Sequence, residues 1–105
     1  MIEDKPYFAA DAEFHDELER TRLREREVDP ITIRRLINIG VSKGWRCLEV
    51  GAGGGSIARW LADRVGSTGQ VVVIDIDTRF LDGLDLPNLT VRCQDITRAE
   101  LEADT

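Results

Sequence analysis

Apolar side chains recur along the chain with two different periods, and the change of period predicts the order of the elements. Between residues 30 and 43 they recur at helical spacing of three and four, in the set Ile33, Leu36, Ile37 and Val41. Asp29 can cap this helix, Pro30 suits its first turn, and Gly44 can end it in a left-handed turn. The pattern predicts a helix that begins at residue 30.

Three short runs rich in β-branched residues predict strands at Trp45–Val50, Gln70–Ile76 and Leu89–Cys93. The four consecutive β-branched residues 71–74 are typical of a strand that is covered on both faces. A helix is predicted between the first two strands, with one apolar face made of Ile57, Ala58, Leu61, Ala62 and Val65. A short turn or helix is predicted over residues 77–84.

Strands that alternate with helices predict an α/β fold with a parallel sheet, right-handed crossovers and helices on both faces. We divide the chain into an N-terminal helical extension, residues 1–29, and a partial α/β domain, residues 30–105. From residue 13 to residue 29 the chain has seven acidic residues and four arginines, which indicates a solvated helix. The alternative is a lid that packs over a ligand cleft through Tyr7, Phe8 and Phe14.

The chain has 105 residues, 14 of them basic and 20 acidic, and a formal net charge of -6. This charge repels phosphate backbones and anionic lipids, which disfavours nucleic acid and membranes as partners but not a small cationic ligand. No segment resembles a signal peptide or a membrane span, so a cytoplasmic protein is predicted. Cys47 and Cys93 lie in apolar runs without metal-ligand spacing, and we predict two buried, reduced thiols and no metal site.

Residues 51–55, Gly-Ala-Gly-Gly-Gly, join the first predicted strand to the next helix. Glycines let the main chain pass close to a ligand, and the helix start at Ser56 favours an anionic group. The P-loop pattern is excluded because it needs Lys before the hydroxyl residue. The dinucleotide pattern fails when counted from Gly51 but fits from Gly53 in its looser form ending in Ala58. Glu49, near the end of a buried strand, needs a cation or hydrogen-bond donors.

The segment from Leu48 to Gly55 resembles the first motif of class I S-adenosylmethionine-dependent methyltransferases, acid-x-Gly-x-Gly-x-Gly. The matching positions are Glu49, Gly51, Gly53 and Gly55. In that family an acid closes the second strand and an Asp follows the third, where this chain has Asp75 and Asp95. The resemblance covers about half of the chain and implies a partial Rossmann-like methyltransferase fold, with three parallel strands ordered 3-2-1.

The resemblance implies S-adenosyl-L-methionine as the cofactor. The residues that would bind it are Glu49, Gly51, Ala52, Gly53, Gly55, Asp75, Ile76, Asp95 and Ile96. The loop amides would lie against the methionine moiety, with Glu49 near its ammonium group, and Asp75 would accept hydrogen bonds from both ribose hydroxyls. Asp95 would accept one from the adenine amino group, the Ile96 amide would meet a ring nitrogen, and Ile76 would pack on the ring.

The resemblance implies an enzyme that transfers a methyl group to an acceptor the sequence does not identify. In the family the strands after the third carry the acceptor pocket. We therefore expect an amino-terminal cofactor-binding half that is inactive by itself, and we assign no catalytic residue. The alternatives are a non-catalytic S-adenosylmethionine-binding module or truncated relic, and an NAD-binding Rossmann fragment. Because the first strand is an open sheet edge, the chain either continues into a longer enzyme or self-associates along that edge.

Overall fold

The structure, a computed structural model, describes residues 4–95, with side chains from residue 12 onward. Ile96 and the side chains of Tyr7 and Phe8 therefore lie outside the described residues. The elements are α1 (Asp4–Ile39), β1 (Arg46–Val50), α2 (Ser56–Val65), β2 (Gln70–Asp75), a short 3-10 helix (Arg79–Leu81) and β3 (Leu89–Cys93). The strand bounds agree with the predicted ones to within one residue. Neither described α-helix has an apolar stretch long enough to cross a bilayer.

The three strands form one parallel sheet with β2 in the centre, in the order β1-β2-β3. Cys47 of β1 pairs with Val71 of β2, and Val73 of β2 pairs with Val91 of β3. All four β-branched residues 71–74 are buried, as the pattern predicts for a central strand. The α/β class, the parallel sheet and the strand order are thereby confirmed.

The core lies between the sheet and α2. Its buried residues are Val41, Ala58, Leu61, Ala62, Val65, Val71, Val73 and Leu81. Burial of one such valine contributes about 1.5–3 kcal/mol, so this layer supplies much of the driving force for folding. On the opposite face Leu48 and Val50 are exposed, so the helices predicted on both faces cover only one face of β1 within residues 4–95. Ile37, predicted to face the core, is also exposed.

Helix α1 runs without a break through Pro30, although we predicted that one helix ends and another begins there. A proline inside a helix removes a backbone hydrogen bond and crowds the preceding turn, at a cost of about 3 kcal/mol. Contacts on both sides of Pro30 offset that cost: Phe14 packs against Phe80, and Leu36 packs against the core. The domain boundary at residue 29 stays a prediction, and α1 crosses it.

The end of α1 also differs from the prediction, because the helix stops just before Gly40 and not at Gly44. Gly40 has a left-handed backbone with φ of +102°, which a residue without a Cβ adopts at little cost. The N–H of Val41 donates to the Leu36 carbonyl at 3.2 Å, and that of Gly40 to the Ile37 carbonyl at 3.0 Å. This pair of bonds is the Schellman motif, which satisfies the last helical carbonyls.

The two cysteines lie in different environments. Cys47 is half-buried against the core, and burial raises the pKa of its thiol. Cys93 is exposed, so the prediction that it is buried was wrong. It is the last residue of β3, an outer strand of the sheet, and its thiol donates to the Ile76 carbonyl at 3.4 Å. Both thiols are free, as predicted.

The outer edge of β1 is open within the described part of the chain, where β2 is its single neighbour in the sheet. An open edge presents unpaired backbone N–H and C=O groups. Leu48 and Val50, which belong to this strand, have exposed apolar side chains. Self-association along this edge remains our proposal.

Candidate functional site

The described residues of the predicted site lie at the carboxyl-terminal edge of the sheet. Since β1 and β2 are parallel, Val50 and Asp75 end their strands at the same edge. The N–H of Gly51 donates to the Ile74 carbonyl at 2.9 Å, so the glycine loop begins directly beside β2. In open parallel sheets, ligands bind in the crevice beyond these strand ends.

The glycine loop has a backbone that other residues rarely adopt. The φ angles are +77° at Gly51, +58° at Gly53 and +85° at Gly55, all in the left-handed region. A residue with a Cβ loses roughly 1–2 kcal/mol in that conformation, which accounts for glycine at these positions. Gly55 directly precedes α2 and has no side chain with which to cap it. The first N–H groups of α2 are thus left to other acceptors.

Two cavities share Gly51 at this edge. The first, about 260 Å³, lies between α1 and the loop and includes the predicted residues Glu49, Gly51, Ala52 and Gly53. The second, about 240 Å³, lies at the ends of β1, β2 and β3 and includes Gly51, Asp75, Ile76 and Asp95. Gly55 is buried beneath the loop, and Ile96 lies outside the described residues. A larger cavity of about 430 Å³, near Pro87 and Asn88, contains none of the predicted residues.

Glu49 is the most perturbed carboxyl group of the site. Its Oε1 atom is buried and has no hydrogen-bond partner among the described residues. Burial, followed by the negative charges of Asp29, Glu25 and Asp75, raises the pKa of Glu49 to about 7. A cation placed beside Glu49 would oppose the effects of burial and of the negative charges. It would favour the ionised carboxylate and so lower the pKa of Glu49.

Replacement of Glu49 by Gln should change how stability depends on pH. Folded Glu49 keeps its proton to about pH 7, whereas its ordinary pKa is 4.5, so the folded chain binds more protons in this window. The contribution of Glu49 to the free energy of unfolding therefore falls as the pH rises from 4.5 to 7. Glu49→Gln lacks this titrating group, so its free energy of unfolding should not show this fall. Relative to the wild type, its free energy of unfolding should rise by roughly 1–2 kcal/mol over this pH range, an amount that includes solvent screening.

Urea denaturation of both proteins at pH 4.5 and pH 8 measures this change. The matched control is Glu19→Gln, at an exposed position of α1, which should keep the pH dependence of the wild type. An equal difference between Glu49→Gln and the wild type at the two pH values would contradict the assigned environment of Glu49.

The second cavity combines hydrogen-bond acceptors with an apolar surface. Asp75 is half-buried at the end of β2, and its Oδ1 accepts a hydrogen bond from the Asp77 N–H at 3.1 Å. Ile76, the next residue, leaves 70% of its surface exposed, which is unusual for a large apolar side chain. Gln94 donates its N–H to the Asp75 carbonyl at 3.0 Å and so holds half-buried Asp95 beside the same cavity. This cavity can hold a group with hydroxyls and a flat ring.

The first half of α1 packs against the segment that follows β2. The rings of Phe14 and Phe80 have their centroids 5.0 Å apart. Arg79 forms an ion pair of 2.9 Å with Glu17, and its guanidinium lies 5.6 Å from the Phe14 ring centroid. The contact of Phe14 agrees with the alternative that α1 is a lid over the crevice.

The middle of α1 reaches the glycine loop, which we did not foresee from the sequence. A Cβ at Gly53 would lie 3.6 Å from the Thr21 methyl group, and the Glu25 carboxylate accepts the Ser56 N–H at 3.1 Å. Asp29 is close enough to raise the pKa of the Glu49 carboxyl group. The four-residue spacing of Thr21, Glu25 and Asp29 was the available signal, but the charges of residues 13–29 were interpreted as a solvated helix.

Within residues 4–95 no group of three or more His, Cys, Asp or Glu side chains is arranged to hold a metal ion. Comparisons with protein-family models, with curated proteins and with solved structures give no match. The site is defined by its own chemistry: a glycine loop at a helix start, a cluster of carboxylates, and an exposed apolar side chain at the edge of a parallel α/β sheet.

Proposed function

We propose that this chain binds S-adenosyl-L-methionine as the cofactor-binding part of a Rossmann-like methyltransferase. The observation that carries the proposal is the buried, unpartnered Oε1 of Glu49, which lines the same crevice as the glycine loop. An amino-acid ammonium group at this point would supply the missing donor and the missing positive charge. The neighbouring cavity offers Asp75 for a ribose diol and Ile76 for an adenine ring.

The charge of the site favours this ligand over a dinucleotide. Glu25, Asp29, Glu49 and Asp75 lie close enough together that three of them raise the pKa of the fourth. A pyrophosphate brings two negative charges to such a cluster, whereas a methionine moiety brings one ammonium, one sulfonium and one carboxylate. NAD is therefore the weaker candidate, although the loop fits the looser dinucleotide pattern from Gly53.

When bound, this cofactor would supply an electrophilic methyl group for transfer to an acceptor nucleophile. The role proposed for this chain is positioning: the loop and Glu49 fix the methionine moiety, and Asp75 fixes the ribose. Holding reactants in alignment can account for a large share of such a rate enhancement. We assign no catalytic residue and no acceptor.

Isothermal titration of the full chain with S-adenosylhomocysteine and with NAD tests the proposal. We expect S-adenosylhomocysteine to bind and NAD not to bind. Binding of NAD alone would replace the proposal by the dinucleotide alternative, and binding of neither ligand would overturn both.

A further inference from the structure

The side chain of Glu25, a residue of α1, contacts the first residue of α2. Its Oε2 accepts the N–H of Ser56 at 3.1 Å across 31 residues of sequence. A Cβ at Gly54 would lie 2.8 Å from Oε1 and 3.0 Å from Oε2, so the carboxylate rests directly on the glycine loop. A carboxylate of the protein itself therefore accepts a hydrogen bond from an N–H group that an anionic ligand group would use.

Opposing charges act on this contact. The N–H of Ser56 and the positive end of the α2 dipole attract the Glu25 carboxylate. Asp29, four residues further along α1, repels it as a like charge, and Glu49 repels it once Glu49 is ionised. A carboxylate held by one hydrogen bond against two like charges is easily exchanged for another carboxylate that brings its own positive charge.

The rest of α1 is fastened independently of Glu25. Glu17 pairs with Arg79 on one side, and Leu36 packs against the core on the other. Glu25 is half-buried, so its side chain can leave the loop by rotation while the helix stays in place.

We propose that Glu25 is a displaceable internal competitor for the carboxylate of the ligand. This inference rests on the proposed function and adds a regulation of the same site. In the free protein Glu25 holds the Ser56 N–H, and a ligand with an amino-acid tail binds only after its own carboxylate has replaced that of Glu25. The apparent affinity for such a ligand is reduced by the fraction of molecules in which Glu25 occupies the loop.

Titration of Glu25→Ala with two ligands tests the competition. S-adenosylhomocysteine has the amino-acid tail, whereas 5′-methylthioadenosine has the same nucleoside and sulfur without it. Glu25→Ala should bind S-adenosylhomocysteine at least fivefold more tightly than the wild type and 5′-methylthioadenosine equally well. Glu25→Gln keeps an acceptor oxygen without the charge, so it should show a smaller gain.

Glu27→Ala is the matched control, because it removes the same charge from an exposed position on the same helix. It should bind both ligands as the wild type does. Equal or weaker binding of S-adenosylhomocysteine by Glu25→Ala would overturn the competition while leaving the proposed function intact. Failure of the wild type and of Glu25→Ala to bind either ligand would overturn both.

Amide hydrogen exchange gives a second readout that needs no ligand. The Ser56 N–H should exchange faster in Glu25→Ala than in the wild type or in Glu27→Ala, with circular dichroism showing that all three are folded. An unchanged exchange rate would show that Glu25 does not hold this N–H in solution, and the inference would fail.

Discussion

Asp75→Ala is expected to weaken the binding of S-adenosylhomocysteine by more than tenfold and to leave the thermal midpoint of the free protein nearly unchanged. Each charge-assisted hydrogen bond to a ribose hydroxyl contributes about 1.5–3 kcal/mol, and a tenfold loss requires only about 1.4 kcal/mol. In the free protein Oδ1 of Asp75 accepts an exposed hydrogen bond from Asp77, which water can replace. Asp75→Ala should therefore have a large effect on the affinity for S-adenosylhomocysteine and a small effect on the stability of the free protein.

Isothermal titration and a thermal melt of the same samples separate the two effects. Asp85→Ala is the control, since Asp85 is an exposed acid between β2 and β3 and lines neither cavity of the site. The control should bind as the wild type does, which shows that net charge alone is not the cause. Unaltered affinity in Asp75→Ala would remove the ribose role from this residue.

Gly55→Ala is expected to lower the free energy of unfolding by about 2–4 kcal/mol, from two independent causes. The left-handed φ of +85° disfavours any residue with a Cβ. The added Cβ would also lie 2.6 Å from Cδ1 of Leu84 and 2.9 Å from Cδ2 of Leu81. Since Leu81 is buried and Gly55 is too, the core must shift to admit the methyl group.

Two further glycines separate these causes. Gly51 has a left-handed φ of +77° but open space around its Cβ position, so Gly51→Ala should cost only the backbone component of about 1–2 kcal/mol. Gly83 has open space and no left-handed φ, so Gly83→Ala should be close to neutral. Urea denaturation of the three variants measures the series. Equal losses for Gly55→Ala and Gly51→Ala would contradict the packing component.

The sheet and the glycine loop could be predicted because their determinants are local. A run of four β-branched residues, 71–74, favours an extended chain that is buried on both faces, and it became the central strand. Gly51, Gly53 and Gly55 mark positions where the backbone turns left-handed, and such turns depend mainly on the residues that make them.

Other features depended on contacts that a local pattern does not contain. Pro30 is a fair signal of a helix start, and only the packing of α1 on both sides of it keeps that helix continuous. Cys93 stands in an apolar run like Cys47, but it is the last residue of its strand and is exposed.

The amino-acid sequence by itself determined the parallel α/β sheet, the loop conformation and the placement of acidic residues at two strand ends, since backbone preferences and side-chain periodicity act over a few residues. Only the tertiary structure decided which charges face one another. Glu25 and Ser56 are 31 residues apart, and nothing in their neighbourhoods predicts a hydrogen bond between them. The unpartnered state of Glu49 and the contact of Glu25 arise because α1 lies along the crevice, and long-range packing sets that arrangement.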